Sequence, residues 1–223
     1  FRQHEVFEIE VLDKMNSARL LEPVVFGGGT MLRLCHELPR YSVDLDFWFI
    51  KRTPQNKFFD NLQRALENDY EITDAQIKRY TLLFEIRSAR YPQRLKLEIR
   101  RALKECDYQK TIAFSRSSTK QVLVNAHTLS QSMQNKIQAF LDRGEIRDCF
   151  DIEFLIRRGV ALPLTSAGLI PELQKKIARF KDVDFRVKLG SILEKDIRDY
   201  YVENHFSFLE AKLAILIAGT SPS

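Results

Sequence analysis

The chain of 223 residues contains only three cysteines, and this shortage excludes two classes of protein. Cys35, Cys106 and Cys149 lie far apart in the sequence, and no two cysteines form a CxxC pair. A disulfide-stapled domain needs an even set of closely spaced cysteines, and a structural zinc site needs paired ligands. We therefore expect three reduced thiols, and we expect Cys149 to be a small buried residue rather than a nucleophile.

Long apolar runs are also absent from the sequence. No segment approaches the ~20 consecutive apolar residues that a membrane-spanning helix needs, although 44% of the residues are hydrophobic. With 29% charged residues, the composition is that of an ordinary globular protein, which excludes disordered and collagen-like chains. The length fits one large domain or two small ones. The sequence thus predicts a globular cytoplasmic protein with no membrane segment.

Acidic residues are scarce in one region of a modestly basic chain. The whole chain has 35 Lys and Arg against 30 Asp and Glu, which gives a net charge of +5. Between Lys78 and Lys120, twelve basic residues stand against only four acidic ones, a local excess of +8. Such a block is either a solvated surface or an electrostatic footprint for a polyanion such as RNA or a nucleoside triphosphate.

The hydrophobic periodicity changes along the chain from mixed helices and strands to helices alone. In the first part it predicts helices over Val6–Leu20, Met31–Leu38 and Phe58–Leu66, and strands over Val24–Phe26, Ser42–Ile50, Tyr80–Arg87, Leu95–Arg101 and Val122–Val124. A Tyr91-Pro92 turn between two of these strands predicts a β-hairpin. Later helices are predicted over Leu129–Leu141, Glu145–Arg157, Ala167–Phe180, Phe185–Ile197 and Phe206–Ile217. The predicted fold class is α+β, with an α/β domain over residues 1–124 and a helical domain over residues 125–223.

A glycine-rich turn followed by two aspartates carries the clearest chemical signal. The turn, Gly27 to Thr30, joins a strand to a helix, so that backbone N–H groups at the helix N-terminus can meet a phosphate. Asp44 and Asp46 lie on the next predicted strand, where side chains two residues apart share one face. Two such carboxylates can hold a pair of Mg²⁺ ions ~3.5–4 Å apart, which clamp the attacking and leaving oxygens of a phosphoryl transfer.

Each half of this signal also has a plainer interpretation. A glycine cluster is often only a turn, and two aspartates in a DxD pattern are often solvated. Here the apolar run Phe47-Trp48-Phe49-Ile50 follows Asp46 and indicates a substantially buried strand. Because buried carboxylates cost stability unless a metal or another cation compensates them, the pattern favours a two-metal site.

The order of these motifs resembles a known group of enzymes. The segments FGGGTMLRL over Phe26–Leu34 and RYSVDLDF over Arg40–Phe47 resemble the first motif of DNA polymerase β-type nucleotidyltransferases, and more closely that of the AbiEii/AbiGii abortive-infection toxin family. The segments KIQAFLDRGE over Lys136–Glu145 and RDCFD over Arg147–Asp151 resemble that family's lysine helix and its RD-x-x-D helix. The matches keep the family's order.

The resemblance implies a minimal polymerase β-like nucleotidyltransferase fold, a mixed sheet with helices, followed by a helical C-terminal domain. It implies an NTP as substrate, two Mg²⁺ ions as cofactors, and transfer of a nucleoside monophosphate to an acceptor. The acceptor it suggests is RNA, in particular the 3′ end of tRNA, and it suggests a cognate antitoxin as partner. On that basis metals are held by Asp44 and Asp46, and phosphates by Gly28, Gly29 and Thr30.

The family pattern also calls for a third carboxylate on a neighbouring strand. In LKLEI over Leu95–Ile99, Lys96 and Glu98 share one face, and Glu98 is the candidate catalytic metal ligand. Glu85 on the preceding strand is the alternative. If either glutamate has no metal role, we expect it to pair across strands with a lysine or an arginine.

Several further polar residues are candidates. Ser42 shares the face of the aspartates and is expected to orient them. Lys136 borders an apolar helical stripe, and either extends to water or, as the resemblance implies, contacts the triphosphate. Asp148 and Asp151, one helical turn apart, either position Lys136, bind nucleotide or metal, or leave Asp151 to pair with Arg147. The four histidines are expected at the surface or at helix ends.

Together these patterns predict a Mg²⁺-dependent nucleotidyltransferase acting as the toxin of a toxin–antitoxin pair. The acceptor hydroxyl attacks the α-phosphate in line, and pyrophosphate leaves. One alternative keeps this reaction but replaces RNA by a hydroxyl of a small molecule or a protein. A second alternative is a catalytically silent protein that binds nucleotide and acts through a partner, and the intact Asp44 and Asp46 argue against it.

Overall fold

The computed structural model describes residues 2–163 and 168–220, with side chains described up to residue 217. The chain divides into two compact units, Phe1–Thr128 and Leu129–Ser223. Among the described residues, no helix combines the length and the apolar character needed to cross a membrane.

The first unit is built on a seven-stranded mixed sheet. Its strands are β1 (Val24–Gly27), β2 (Asp44–Phe49), β3 (Glu71–Ile77), β4 (Thr81–Arg87), β5 (Leu95–Leu103), β6 (Tyr108–Phe114) and β7 (Gln121–His127). Their order across the sheet is β3-β4-β5-β2-β1-β7-β6. The pairs β2–β5 and β1–β7 are parallel, and the other neighbouring pairs are antiparallel. The predicted mixed sheet with helices is confirmed.

Three helices accompany this sheet and build the core with it. They are α1 (Arg2–Ser17), α2 (Gly28–His36) and α3 (Gln55–Glu67). Along β2, buried Leu45, Phe47 and Phe49 alternate with half-buried residues. Phe47 stacks on Phe26 with ring centroids 5.1 Å apart, and Phe49 meets Phe58 at 5.0 Å. Burial of these large apolar rings anchors β2 and fixes the direction of its polar face.

The periodicity did not reveal two strands, β3 and β6. Both are edge strands of the sheet. Their sequences, EITDAQI and YQKTIAF, are largely polar, and most of their side chains are exposed or half-buried. An edge strand with little buried surface lacks the alternation on which a strand prediction depends.

The second unit is helical. Its helices are α4 (Leu129–Arg143), α5 (Ile146–Arg157), α6 (Leu169–Ile177), α7 (Lys195–Asn204) and α8 (Ser207–Thr220). Phe185 packs against Phe180 and Phe206, with ring centroids 6.2 and 5.2 Å away. Cys149 is buried, as predicted, and its burial raises the pKa of the thiol well above the usual range. Cys35 and Cys106 are free thiols as well.

The predicted helix over Phe185–Ile197 is wrong. A π-helical turn over Asp184–Leu189 and a 3₁₀ turn over Gly190–Ile192 occupy most of it, and α7 begins only at Lys195. Phe185, Leu189 and Leu193 keep the i, i+4 spacing of a helix and are buried, so periodicity alone could not show the break. The start of the predicted helix over Ala167–Phe180 lies outside the described residues, and the structure has α6 over Leu169–Ile177.

Candidate active site

Three carboxylates stand on one face of the sheet, on two neighbouring strands. Asp44 and Asp46 flank buried Leu45 on β2, and Glu98 lies directly opposite Asp46 on the parallel strand β5. In the same register, Lys96 lies opposite Asp44. Since side chains of one strand alternate between faces and paired residues share a face, the sheet brings the three predicted metal ligands together.

These carboxylates are less buried than the sequence leads us to expect from a substantially buried strand. The side chain of Asp44 is 39% exposed and that of Glu98 is 24% exposed. Leu45, Phe47 and Phe49 are buried on the opposite face, whereas Asp44, Asp46 and Trp48 on this face are only half-buried. The cost of desolvating Asp44 and Asp46 is therefore smaller than the sequence suggests.

Lys96 lies between the carboxylates. Its Nζ is 3.2 Å from Oε1 of Glu98 and 3.6 Å from Oδ2 of Asp44. Burial lowers the pKa of Lys96, but attraction by Asp44 and Glu98 outweighs it and leaves the pKa raised. The charged ammonium thus supplies part of the positive charge that three neighbouring carboxylates need.

The three carboxylates are suitable ligands for Mg²⁺, but they do not converge on one metal position in the structure. Carboxylate oxygens are the ligands that this hard cation prefers. Among the described residues, however, no three His, Cys, Asp or Glu side chains already converge on one metal position. Glu98 and Asp44 instead contact the ammonium of Lys96.

Glu85 lies one strand further from the aspartates. It stands on β4 opposite Lys96. Arg94 donates a hydrogen bond of 2.6 Å to its Oε1, and the hydroxyl of Thr73 donates one of 2.9 Å. These two hydrogen bonds lower the pKa of the Glu85 carboxyl. Both glutamates are thus paired with basic residues, and Glu98 is the one next to β2.

The glycine turn fits tightly against the carboxylate strand. Gly28 has a φ of +78°, which favours glycine, and a Cβ atom there would lie 2.5 Å from Oδ2 of Asp46. A Cβ atom on Gly29 would lie 2.8 Å from the Oγ of Ser42 and would also collide with Arg40. Ser42 precedes β2 and sits beside Gly29. Only glycines allow the turn to approach the aspartates this closely.

Helix α2 begins directly at this turn, as predicted. Its N-cap, Gly27, offers no side-chain hydrogen bond to the first N–H groups. Gly28 is half-buried, whereas Gly29 and Thr30 are buried. The Oγ1 of Thr30 has no hydrogen-bond partner within the part of the chain that the structure describes. Gly28 is therefore the accessible member of the predicted phosphate site, and its N–H group belongs to an uncapped helix start.

Several residues around the site were not predicted from the sequence. Arg40 is buried beside Gly29, and only its place in the RYSVDLDF motif hints at a role. His127 lies with its ring 5.0 Å from that of Trp48, and burial lowers its pKa to about 4. His4 is buried as well, in the first turn of α1, so the expectation of histidines at the surface or at helix ends is wrong for His127, which ends β7. These contacts join residues that are far apart in the sequence, so no local sequence pattern predicts them.

The second unit contains a separate cluster around Lys136. Its Nζ on α4 is 2.6 Å from Oδ2 of Asp151 and 3.4 Å from Oδ1 of Asp148, both on α5. Arg143 donates hydrogen bonds of 2.6 and 2.7 Å to the two oxygens of Asp148. The side chain of Lys136 is only 10% exposed and those of both aspartates are fully buried. Lys136 therefore does not extend to water.

This arrangement identifies what the two aspartates contact. Both contact the ammonium of Lys136. Arg147 is exposed on the same helix, and Asp151 contacts the ammonium of Lys136. Two cations, Lys136 and Arg143, balance two carboxylates, so the four charges cancel.

Comparison with known proteins gives one family and solved structures of similar fold. A family model described as the nucleotidyl transferase AbiEii toxin of a type IV toxin–antitoxin system matches residues 10–210. The fold is similar to that of JHP933 from Helicobacter pylori, with a TM-score of 0.54 and 21% identity over 95% of this chain and 96% of that chain. It is also similar to MenT4, a nucleotidyltransferase toxin from Mycobacterium tuberculosis, with a TM-score of 0.53 and 14% identity over 92% of this chain and 85% of that chain. No curated protein matches the chain.

Proposed function

Because this chain belongs to the AbiEii family of nucleotidyltransferase toxins, we propose that it transfers a nucleoside monophosphate from an NTP to an RNA hydroxyl, with Asp44, Asp46 and Glu98 holding two Mg²⁺ ions. The observation that carries this proposal is the register of β2 and β5, which sets Glu98 directly opposite Asp46. Two aspartates on one strand and a carboxylate on the next are the donor set that such chemistry requires.

In the proposed reaction, the acceptor oxygen attacks the α-phosphorus in line as its proton departs. The bond between the α-phosphorus and the pyrophosphate oxygen breaks, and pyrophosphate leaves. Mg²⁺ ions, when bound, supply positive charge to the attacking and leaving oxygens. The chain's own contribution is positioning and electrostatics: buried Leu45 fixes the direction of Asp44 and Asp46, and the sheet fixes Glu98 beside them.

The phosphates of the NTP are assigned to the glycine turn. The uncapped N-terminus of α2 presents N–H groups at Gly28 and Gly29, and Thr30 has an unsatisfied hydroxyl in the described part of the chain. Ser42 and Arg40 flank Gly29, and Arg40 adds a positive charge on this side. Each of these features favours the binding of an anion such as phosphate.

Lys136 is assigned to the leaving pyrophosphate, following the resemblance of its helix to the family's lysine motif. Asp148 and Asp151 hold its ammonium in one place. A fixed ammonium loses little conformational entropy when it meets a developing negative charge. For the aspartates, the ion pairs support a positioning role better than direct binding of nucleotide or metal.

The finer properties follow the family and the charge distribution. The +8 block between Lys78 and Lys120 supports RNA as the acceptor, and the resemblance suggests the 3′ end of tRNA. The type IV toxin–antitoxin family implies a cognate antitoxin. We assign the protein to the cytoplasm, where NTP and tRNA are found.

The test is an assay with NTPs labelled separately at the α- and γ-phosphates, total RNA and Mg²⁺. We expect α-label to enter RNA and γ-label to appear only in pyrophosphate. Label in a protein or a small molecule would support the alternative acceptor. Binding of NTP without release of pyrophosphate would support a catalytically silent protein and contradict the proposal.

A further inference from the structure

A groove of about 690 Å³ lies at the ends of β2 and β5, and the reaction described above does not use it. Its lining includes two aromatic and four basic side chains: Trp48, Tyr80, Arg79, Arg100, Arg101 and Lys104. None of the described residues that line it is acidic. It is therefore a strongly positive groove with aromatic rings in its wall.

The groove opens beside the three carboxylates. Trp48 follows Asp46 by two residues on the same face of β2, a step of about 7 Å, and Arg100 lies opposite Trp48 as Glu98 lies opposite Asp46. The sheet order places β5 on one side of β2 and β1, which leads into the glycine turn, on the other. The groove thus extends along β2 and β5 beyond Asp46 and Glu98, from where an acceptor could approach the carboxylates, and its Trp48 ring also lies close to Gly27 of the glycine turn.

Tyr80 is held as an exposed platform at the rim of this groove. The backbone N–H of Arg101 donates a hydrogen bond of 2.9 Å to the carbonyl of Tyr80, and its guanidinium donates one of 2.8 Å to that of Lys78. The turn is therefore fixed to β5, yet Tyr80 is 67% exposed. The guanidinium of Arg79 lies 5.0 Å from its ring centroid. An exposed ring on an anchored turn, with a cation over one of its faces, is suited to bind a flat base together with a phosphate.

Trp48 repeats this combination deeper in the groove. The ammonium of Lys104 lies 5.2 Å from its ring. Aromatic rings and cations along one groove are the features with which proteins bind single-stranded nucleic acid, since the rings stack on bases and the cations meet phosphates. An NTP has one base, whereas two rings and four cations provide for several nucleotides of a strand.

We propose that this groove binds the single-stranded end of a polynucleotide acceptor, with a base stacked on Tyr80 and backbone phosphates at Arg79, Arg100 and Lys104. The assignment of the strand as acceptor rests on the proposed function. The binding itself rests on the groove, because stacking and phosphate contacts need no transfer reaction.

The test is fluorescence anisotropy of the full chain with labelled single-stranded RNA, DNA of the same sequence, and duplex, without NTP. We expect Tyr80→Ala to raise the Kd for a single strand about 5- to 150-fold, the range for loss of one base stacking on an aromatic ring. Tyr80→Phe keeps the ring and should change the Kd by less than about twofold. The matched control is Tyr108→Ala, which removes an exposed tyrosine from β6 outside the groove.

A second variant tests the phosphate contacts. Arg79→Ala should lower the slope of log Kd against log salt by about 0.7, the value for one phosphate contact on a single strand. Dependence of binding on Tyr80 with either RNA or DNA supports the groove, and the ratio of the two affinities identifies the sugar it prefers. Preference for the duplex, or equal losses in Tyr80→Ala and Tyr108→Ala, overturns the proposal.

The two proposals fail in different ways. Binding of RNA that depends on Tyr80, without any nucleotide transfer, would contradict the proposed function and leave the groove in place. Transfer to RNA with a Kd that Tyr80→Ala and Arg79→Ala leave unchanged would overturn the groove alone.

Discussion

Lys96 is the residue on which the charge balance of the carboxylate face depends. Its ammonium contacts Glu98 and Asp44, and Arg100 approaches the other oxygen of Glu98 at 3.6 Å. A cation already beside the metal ligands competes with Mg²⁺ for the same oxygens. It also reduces the repulsion among the carboxylates when no metal is bound.

Replacing Lys96 by methionine should therefore tighten the binding of Mg²⁺ to the protein without NTP. Because Lys96 is partly exposed, solvent screens its charge, and we expect the Kd to fall only about two- to tenfold. Isothermal titration measures this, with Lys110→Met on the edge strand β6 as the matched control. Weaker binding of Mg²⁺ to Lys96→Met would show that Lys96 orients the carboxylates rather than competes with the metal.

Glu98 and Glu85, on the face of the sheet that carries the carboxylates, provide a matched pair of variants. Glu98→Gln should lower the rate of transfer by a hundredfold or more, on the order of the loss of a group that stabilises developing charge. Glu85→Gln, one strand away, removes a carboxylate that is paired with Arg94 and should change the rate by less than about threefold. Steady-state rates at saturating Mg²⁺ compare the two. Similar losses in both variants would contradict the assignment of Glu98.

At this scale, the sequence predicts what depends on alternation along one strand. Asp44 and Asp46 must share a face because they are two residues apart, and the same alternation makes both Glu98 and Glu85 candidates for the third carboxylate. The ion pair between Lys96 and Asp44 depends on the register between β2 and β5, as does the position of Arg100. Register is a property of the folded sheet that no local pattern states.

Helix α1 carries a buried acid and a buried base next to the start of β2. His4 Nε2 lies 3.1 Å from the carbonyl oxygen of Val43 and 3.5 Å from Oε1 of Glu8. Burial raises the pKa of Glu8 well above its usual range, and the charges of Glu5 and Asp44 add to the effect. Burial also lowers the pKa of His4. Burial thus favours the neutral form of each side chain.

This pair makes stability depend on pH. A carboxyl whose folded pKa is raised contributes stability that is present below its unfolded pKa of 4.5 and is lost as the pH rises through the folded pKa. Glu8→Gln cannot ionise, so the difference in Tm between Glu8→Gln and the unmodified chain should grow in favour of the variant from pH 5 to pH 8. Each kcal/mol is worth about 2–4 °C in a chain of this size.

Thermal unfolding followed by circular dichroism measures this difference. The control is Glu67→Gln on α3, where the side chain is exposed. A difference in Tm that is independent of pH, or equal in the two variants, would contradict the raised pKa of Glu8.

Helices α4 and α5 are joined by the buried ion pairs of Lys136. Lys136→Met should lower the free energy of unfolding by about 3–5 kcal/mol, because it leaves Asp148 and Asp151 buried with less compensation. The double variant Lys136→Met/Asp151→Asn should recover much of that loss. If Lys136 also contacts pyrophosphate, the double variant should fold yet transfer nucleotide slowly.

Denaturant unfolding and single-turnover rates separate the two effects. Lys175→Met, on the exposed surface of α6, is the control for both measurements. A stable double variant with a normal rate would leave Lys136 with a purely structural role. A single variant as stable as Lys175→Met would contradict the buried ion pairs themselves.

At the scale of elements, the sequence predicted helices and strands best where one face of the element is buried and the other is exposed. The strand, turn and helix from β1 to α2 and the hairpin of β4 and β5 were predicted and are confirmed. The edge strands β3 and β6 were missed because little of their surface is buried. The break between Leu189 and Lys195 was missed because Phe185, Leu189 and Leu193 keep helical spacing across it.

For the whole molecule, the predicted family, fold class and reaction class are confirmed by the match over residues 10–210 and the structures of similar fold. These properties were predictable because the glycine turn, the DxD pair and the lysine helix keep the family's order along the chain. The two Mg²⁺ ions, the RNA acceptor, the roles of the site residues and the two domain ranges stay predictions. The metal ions, the acceptor and the site roles depend on contacts with other molecules, and a sequence pattern does not show such contacts.

The central claim is that Asp44, Asp46 and Glu98 perform metal-dependent transfer of a nucleoside monophosphate. The most direct measurement is the amount of pyrophosphate released per nucleotide incorporated into RNA, with Mg²⁺ and with chelator, for the unmodified chain, Asp46→Asn and the exposed control Asp60→Asn. We predict that the unmodified chain and the control form the two products in equal amounts, and that neither product forms with chelator. For Asp46→Asn we predict a rate that is lower by a factor of about a hundred or more. An unchanged rate in Asp46→Asn would contradict the account, as would incorporation that persists in chelator.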